Sequence, residues 1–199
     1  MKTIPIIRHG LAALTLGLAT AATAEPATFE IDEDHFSVGF MVEHVGYADT
    51  LGQFLEAEGS FVYDESANEL ENGEVIVQAN SIFTGHERRD DHVRGDDFLD
   101  AGNHETIRFE ATDWQPADDD SHHGTLAGEL TLLGKTRPVS LDVTINKAAE
   151  YPFGHGKYTL GISARTTIKR SEWGMTYGVD GNLVGDEVKL IFEFEAIRQ

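Results

Sequence analysis

The densest group of chemically able side chains lies between His86 and Asp100. It reads Arg88-Arg89-Asp90-Asp91-His92-x-Arg94. An imidazole beside a carboxylate is a general acid–base pairing, so His92 with Asp90 or Asp91 could move a proton on a bound ligand. The same charges could instead form an ion-paired clamp that holds short helices, or meet a polar or anionic ligand head. Arg170-Ser171-Glu172-Trp173-Gly174 offers a similar choice. Arg170 can pair with a carboxylate or meet a ligand, and Trp173 can cap whatever lies beneath it.

Other chemistries lack their signatures. The chain has nine His and no Cys. Neither HExxH nor a Cys/His zinc pattern is present. His86 and His92 are poorly spaced for one helical face, His122-His123 reads as a solvated acidic turn, and His35 and His44 fall on opposite strand parities. No G-x-S-x-G occurs, and Gly178 to Gly185 lacks the Lys-Ser/Thr ending of a phosphate loop. No metal, cofactor or catalytic residue is expected from these patterns.

The elements that must position these side chains are strands. Leu126, Leu130 and Leu132 share one parity. After a turn at Gly134-Lys135-Thr136, Val139, Leu141, Val143 and Ile145 share another. Period two with one apolar face is strand rhythm, and a short Gly-containing link predicts an antiparallel hairpin. The rhythm recurs at Thr28 to Ile31, Ser37 to Val45, Gly52 to Tyr63 (with Gly59 as a bend), Glu74 to Phe83, Ile107 to Trp114, Lys157 to Lys169 and Glu187 to Ile197. Between Pro116 and His123 an acidic turn is expected. His86 to Asp100 reads as one or two short helices. The fold class is therefore all-β: about eight antiparallel strands with a short helical insertion, arranged as a barrel or a sandwich. A barrel of that size is filled by side chains or holds one small ligand. Small residues at Gly39, Gly128 and Ala164 lean towards a cavity.

Residues 1–24 read as a secretory signal: basic Lys2 and Arg8, an apolar run from Leu11 to Ala22, and small residues Ala22 and Ala24 before Glu25. Residues 25–199 then form one domain exported to the periplasm, with no stable membrane insertion. The formal charge is −20, and removal of Lys2 and Arg8 with no acidic residue makes it −22. A surface this acidic repels nucleic acid and anionic lipid headgroups. Its simplest role is solvation.

Several short elements occur in one order: Asp34-His35-Phe36-Ser37-Val38-x-Phe40 with His44-Val45-Gly46; Gly52-x-Phe54; Ser81-Ile82-x-Thr84; Arg89-Asp90-x-His92; Asp97-Phe98-Leu99-Asp100; Ile107-Arg108-Phe109; Gly128 to Val139; Arg170 to Gly174; and Val184 to Val188. In these the chain resembles the YceI family of secreted, lipocalin-like polyisoprenoid-binding proteins, over nearly all of residues 25–199. It departs at His104-Glu105, where the family often has Tyr-Pro, and at Val93, where Leu is common.

The resemblance implies an extended antiparallel barrel whose apolar interior holds a long isoprenoid (polyprenyl or quinone-like) or similar amphiphilic lipid. Apolar parity nominates Phe40, Val42, Phe54, Phe109, Leu130, Leu132, Val143 and Phe192 for the wall. Arg89, His92, Phe98, Arg170 and Trp173 are the mouth candidates. The leading reading is a periplasmic carrier without catalysis. Its rivals are a lipid-modifying enzyme using His92 with Asp90 or Asp91, and a stress-related scaffold for a membrane redox partner. Edge strands of a partly open barrel could also pair in a homodimer.

Overall fold

The computed structural model describes residues 25–118 and 120–199; the expected signal segment lies outside them. The elements run β1 (Ala27–His44), β2 (Ala48–Phe54), β3 (Ala57–Asp64), β4 (Glu69–Gln78), β5 (Ile82–Phe83), α1 (Glu87–Arg94), β6 (Thr106–Ala117), β7 (Asp120–Leu132), β8 (Lys135–Glu150), β9 (Tyr158–Lys169) and β10 (Val184–Arg198). A 3-10 turn at Arg170–Trp173 follows β9.

Antiparallel pairing closes β1, β3, β4, β6, β7, β8, β9 and β10 into a barrel of eight strands, with β10 returning to β1. Closure removes the long unpaired edges that an open sheet would expose. β2 lies on the upper half of β1, from Val38↔Phe54 to His44↔Ala48, and β5 adds two residues to β2. Among the described residues no helix is long and apolar enough to cross a membrane.

Five local expectations change: in one, the strand expected from Glu74 to Phe83 ends at Gln78, and a 3-10 turn at Ala79–Ser81 separates it from β5. Thr28–Ile31 and Ser37–Val45 belong to one strand, β1, interrupted by a bulge between Ile31 and Phe36. The long strand Gly52–Tyr63 breaks at residues 55–56, so that its first half pairs with upper β1 and its second half with lower β1 and β4. The β7–β8 turn is Leu133-Gly134 rather than Gly134–Thr136. Both residues have positive φ, 51° and 68°, the requirement of a two-residue type I′ hairpin, while Lys135 and Thr136 already pair with Leu132 and Thr131. The acidic turn before His123 is also shorter: Pro116 and Ala117 pair with Gly124 and Asp120.

The core divides into two clusters along the barrel. One contains Val38, Phe40, Phe54, Leu130, Trp173 and Met175, with Val93 and Phe98 packed on it. The other contains Phe29, Tyr63, Leu141, Val143 and Leu160. Phe109 and Phe192 touch both and join them. Glycine supplies seats for rings, not open volume. A Cβ on Gly52 would lie 2.2 Å from Phe40 Cζ, and one on Gly128 would lie 2.3 Å from Phe109 Cζ. Each ring covers the bare backbone of the neighbouring strand. The room expected from Gly128 is thus occupied by Phe109, and Gly39 alternates outward from Val38 and Phe40; of the three small residues, Ala164 faces the interior void.

Candidate functional site: an apolar cavity through the barrel

Alternation sends every second side chain inward, and the inward sets of all eight barrel strands surround a cavity of about 260 Å³. Its lining is aliphatic and aromatic almost throughout, and it draws on both core clusters, so it runs lengthwise through the barrel. Of the candidates, Phe40, Val42, Phe54, Phe98, Phe109, Leu130, Leu132, Val143, Arg170 and Phe192 line it. Arg89, His92 and Trp173 do not. Ile162, Leu190 and Val188, on parities already apolar in sequence, also line it, as do Ile31, Val38 and Val75.

Arg89 and Asp90 belong to the clamp that seats α1. Asp90 is 5% exposed and accepts the Thr84 backbone N–H at 2.7 Å and the Thr84 hydroxyl at 2.5 Å. Arg89 donates from Nε to the same hydroxyl oxygen and from Nη2 to the Thr84 carbonyl, both at 2.7 Å. Arg94 donates to the carbonyls of Asn80 and Ile82 at 2.9 Å. Charged hydrogen bonds thereby tie the helix to β5 and Thr84, and one ion pair, Arg94 with Asp91 at 3.1 Å, joins them. His92 donates from Nε2 to Asp97 Oδ2 at 2.8 Å and not to Asp90 or Asp91. Its ring stands edge-on to Phe98 at 5.1 Å and to Tyr177 at 5.0 Å. Tyr177 sits in a connection without periodicity, so the sequence carried no signal for it.

Arg170 lines the cavity, yet it makes four hydrogen bonds to the protein's own backbone. It is 2% exposed and donates to the carbonyl oxygens of Gly185, Met175, Tyr177 and Val184 at 2.7–2.8 Å. Burial lowers its pKa, with Asp186 opposing the shift. The neighbouring Ser171 donates its N–H and hydroxyl to the two Asp186 oxygens, each at 2.9 Å. Arg170 therefore fastens the β9–β10 connection across the barrel end, with its guanidinium 5.7 Å from the Phe98 ring. Trp173 is 1% exposed and donates its indole N–H to the Leu130 carbonyl at 3.1 Å. It is packed into the core and does not roof the cavity.

The other end is tied by Asn68. This residue has φ 55°, a left-handed conformation that Asn tolerates better than most residues. Its Oδ1 accepts the Tyr63 hydroxyl at 2.6 Å and the Trp114 indole N–H at 2.9 Å, and its Nδ2 donates to the Ser121 carbonyl at 3.1 Å. β3, β6 and β7 meet on one amide. Burial, with Glu65 and Asp64, pushes the Tyr63 hydroxyl up to about 12, so it remains a donor at neutral pH.

Such a tube can hold a long apolar chain and offers very few polar atoms to react with one. The chain matches the YceI-like domain over residues 29–196. Similar proteins include a UPF0312 protein of Pseudomonas paraeruginosa, 33% identical across 98% of this chain and 100% of its own. One from Pectobacterium atrosepticum is 32% identical across 92% of both chains. The fold is shared with Burkholderia cenocepacia BcnA (TM-score 0.70, 22% identity, 83% of this chain and 98% of that one). It is shared also with a polyisoprenoid-binding domain from Saccharophagus degradans (TM-score 0.60, 12% identity, 88% and 100%). The chain belongs to the YceI family.

Proposed function

We propose that this protein is a periplasmic carrier that holds a long isoprenoid lipid, polyprenyl or quinone-like, in the barrel, without catalysis. The observation that carries the reading is the continuous apolar cavity joining the two core clusters. The polyisoprenoid-binding domain with the same fold supports it.

The energetics suit a carrier. Each methylene taken from water gains roughly 0.8 kcal/mol. In a membrane the same methylenes are already out of water, so transfer between bilayer and barrel is close to balanced. Chain ordering in the tube opposes loading. A balanced exchange lets cargo leave as well as enter. With four hydrogen bonds to backbone carbonyls, Arg170 serves the frame of the cavity, and affinity rests on the wall.

The test is native mass spectrometry of the protein purified from the periplasm of its producing cell, followed by solvent extraction. A stoichiometric polyprenyl- or quinone-type mass is expected. Protein that is uniformly free of bound mass, while fully folded and exported, would count against the carrier reading.

A further inference from the structure

The β1 bulge brings metal-ligating atoms together on the outer wall. Between Ile31↔Ala196 and Phe36↔Phe194 the register slips, and Asp32 to His35 arch over Glu195. Glu195 alternates with the inward Phe194 and Ala196, so it faces away from the cavity. His35 Nδ1 lies 2.8 Å from Asp32 Oδ2 and 3.8 Å from Glu195 Oε2, and the three ligand atoms all fall within 4.8 Å of one another. Donors bound tetrahedrally at about 2.0–2.1 Å from a zinc-like ion sit roughly 3.3 Å apart. The observed separations bracket that spacing, so small side-chain shifts would complete it.

One further observation points to a cation, and the bulge holds a second ligand in place. Glu195 Oε2 is shut off from solvent and has no hydrogen-bond partner, although its side chain as a whole is 31% exposed. The Glu195 carboxylate has the Tyr151 hydroxyl as one donor, and a cation would supply the partner that Oε2 lacks. Asp32 is also held in place by the bulge itself: its Oδ1 accepts the Asp34 backbone N–H at 3.1 Å, leaving Oδ2 directed at His35. Tyr151 covers this side, with its ring 6.5 Å from His35 and 4.5 Å from His155.

We propose that Asp32, His35 and Glu195 form a binding site for one divalent transition ion of the zinc class. One imidazole and two carboxylates suit such ions and leave a fourth position for water. Binding releases the His35 Nδ1 proton to solvent and replaces the Asp32–His35 hydrogen bond with two metal bonds. The ion fastens the bulge of β1 to β10 at the seam where the barrel closes.

The test uses the full exported chain, stripped with a chelator and titrated with Zn²⁺ by calorimetry and with Co²⁺ by visible absorption. One saturable ion per chain, a tetrahedral Co²⁺ band and a rise in Tm with Zn²⁺ are expected. Both His35→Ala and Glu195→Gln should lose the band and at least tenfold in affinity, while His123→Ala on a distant surface keeps both. Equal binding by wild type and both variants, or no saturable binding, would overturn the site. Lipid occupancy is read separately and does not depend on the result.

Discussion

The two ends of the barrel are closed by different physics. At one end α1 and the β9–β10 connection are held by buried or half-buried cations donating to backbone carbonyls: Arg170 to four of them, Arg94 to two. At the other end a neutral amide, Asn68, joins three strands, and the Tyr158 hydroxyl donates to the Glu65 carboxylate. The first device fixes a non-repetitive loop that has few ladder bonds of its own. The second only trims strands that are already paired. Damage should therefore be far greater, and more local to the mouth, at the Arg170 end.

That contrast can be broken in order of expected effect. Arg170→Met leaves four carbonyl acceptors without their donor and is expected to cost about 3–5 kcal/mol. Urea denaturation measures the loss, and hydrogen exchange should show residues 175–185 opening first. Arg170→Lys should recover only a small part, because an ammonium cannot reproduce the planar fork. Asn68→Ala is expected to cost about 2 kcal/mol, since it strands the Tyr63 and Trp114 donors. Asn68→Gly should cost nearly as much if the amide matters, and much less if the positive φ is what Asn68 supplies. Thr84→Val removes the hydroxyl shared by Asp90 and Arg89 and should cost about 1 kcal/mol, with faster exchange confined to α1.

The smallest effect lies outside both ends. In the metal-free protein the hydrogen bond to Asp32, with Glu195 and Asp34 nearby, raises the His35 pKa, while the bond to His35 lowers that of Asp32. His35's contribution is full below its unfolded pKa and is lost as pH rises through its raised folded value. Asp32's is full above its unfolded pKa and is lost as pH falls through its lowered one. His35→Ala should therefore lower the urea midpoint slightly in mildly acidic buffer and have no effect well above the His35 pKa. A pH series of midpoints checks this.

Much of the wall was readable because a strand's period of two commits each residue to one face. Phe40, Leu130, Val143 and Phe192 needed only parity to be placed inward. The mouth was not readable in that way. Arg170 left a choice between ligand contact and clamp because its partners Met175 and Tyr177 lie in an aperiodic connection, and Val184 and Gly185 at the start of β10 meet it only through the fold. His92 stood beside two carboxylates in sequence, yet its partner is Asp97, placed by the turn after α1. Gly128 read as spare room because no sequence pattern reveals that a diagonal ring, Phe109, fills it. Asp32, His35 and Glu195 meet only through a bulge and the β1–β10 closure, which join opposite ends of the chain.

The most direct test of the carrier account is to fill the tube from its wall. Ala164 is 5% exposed and lines the cavity midway along β9, facing Val143 and Phe192 on its two neighbours. Ala164→Trp, checked for intact fold by circular dichroism, is to be compared with the wild type for stoichiometric uptake of a polyprenyl lipid by native mass spectrometry. The account predicts loading of the wild type and at least a tenfold loss in the folded variant. Equal loading of both would place the lipid outside the barrel and contradict it.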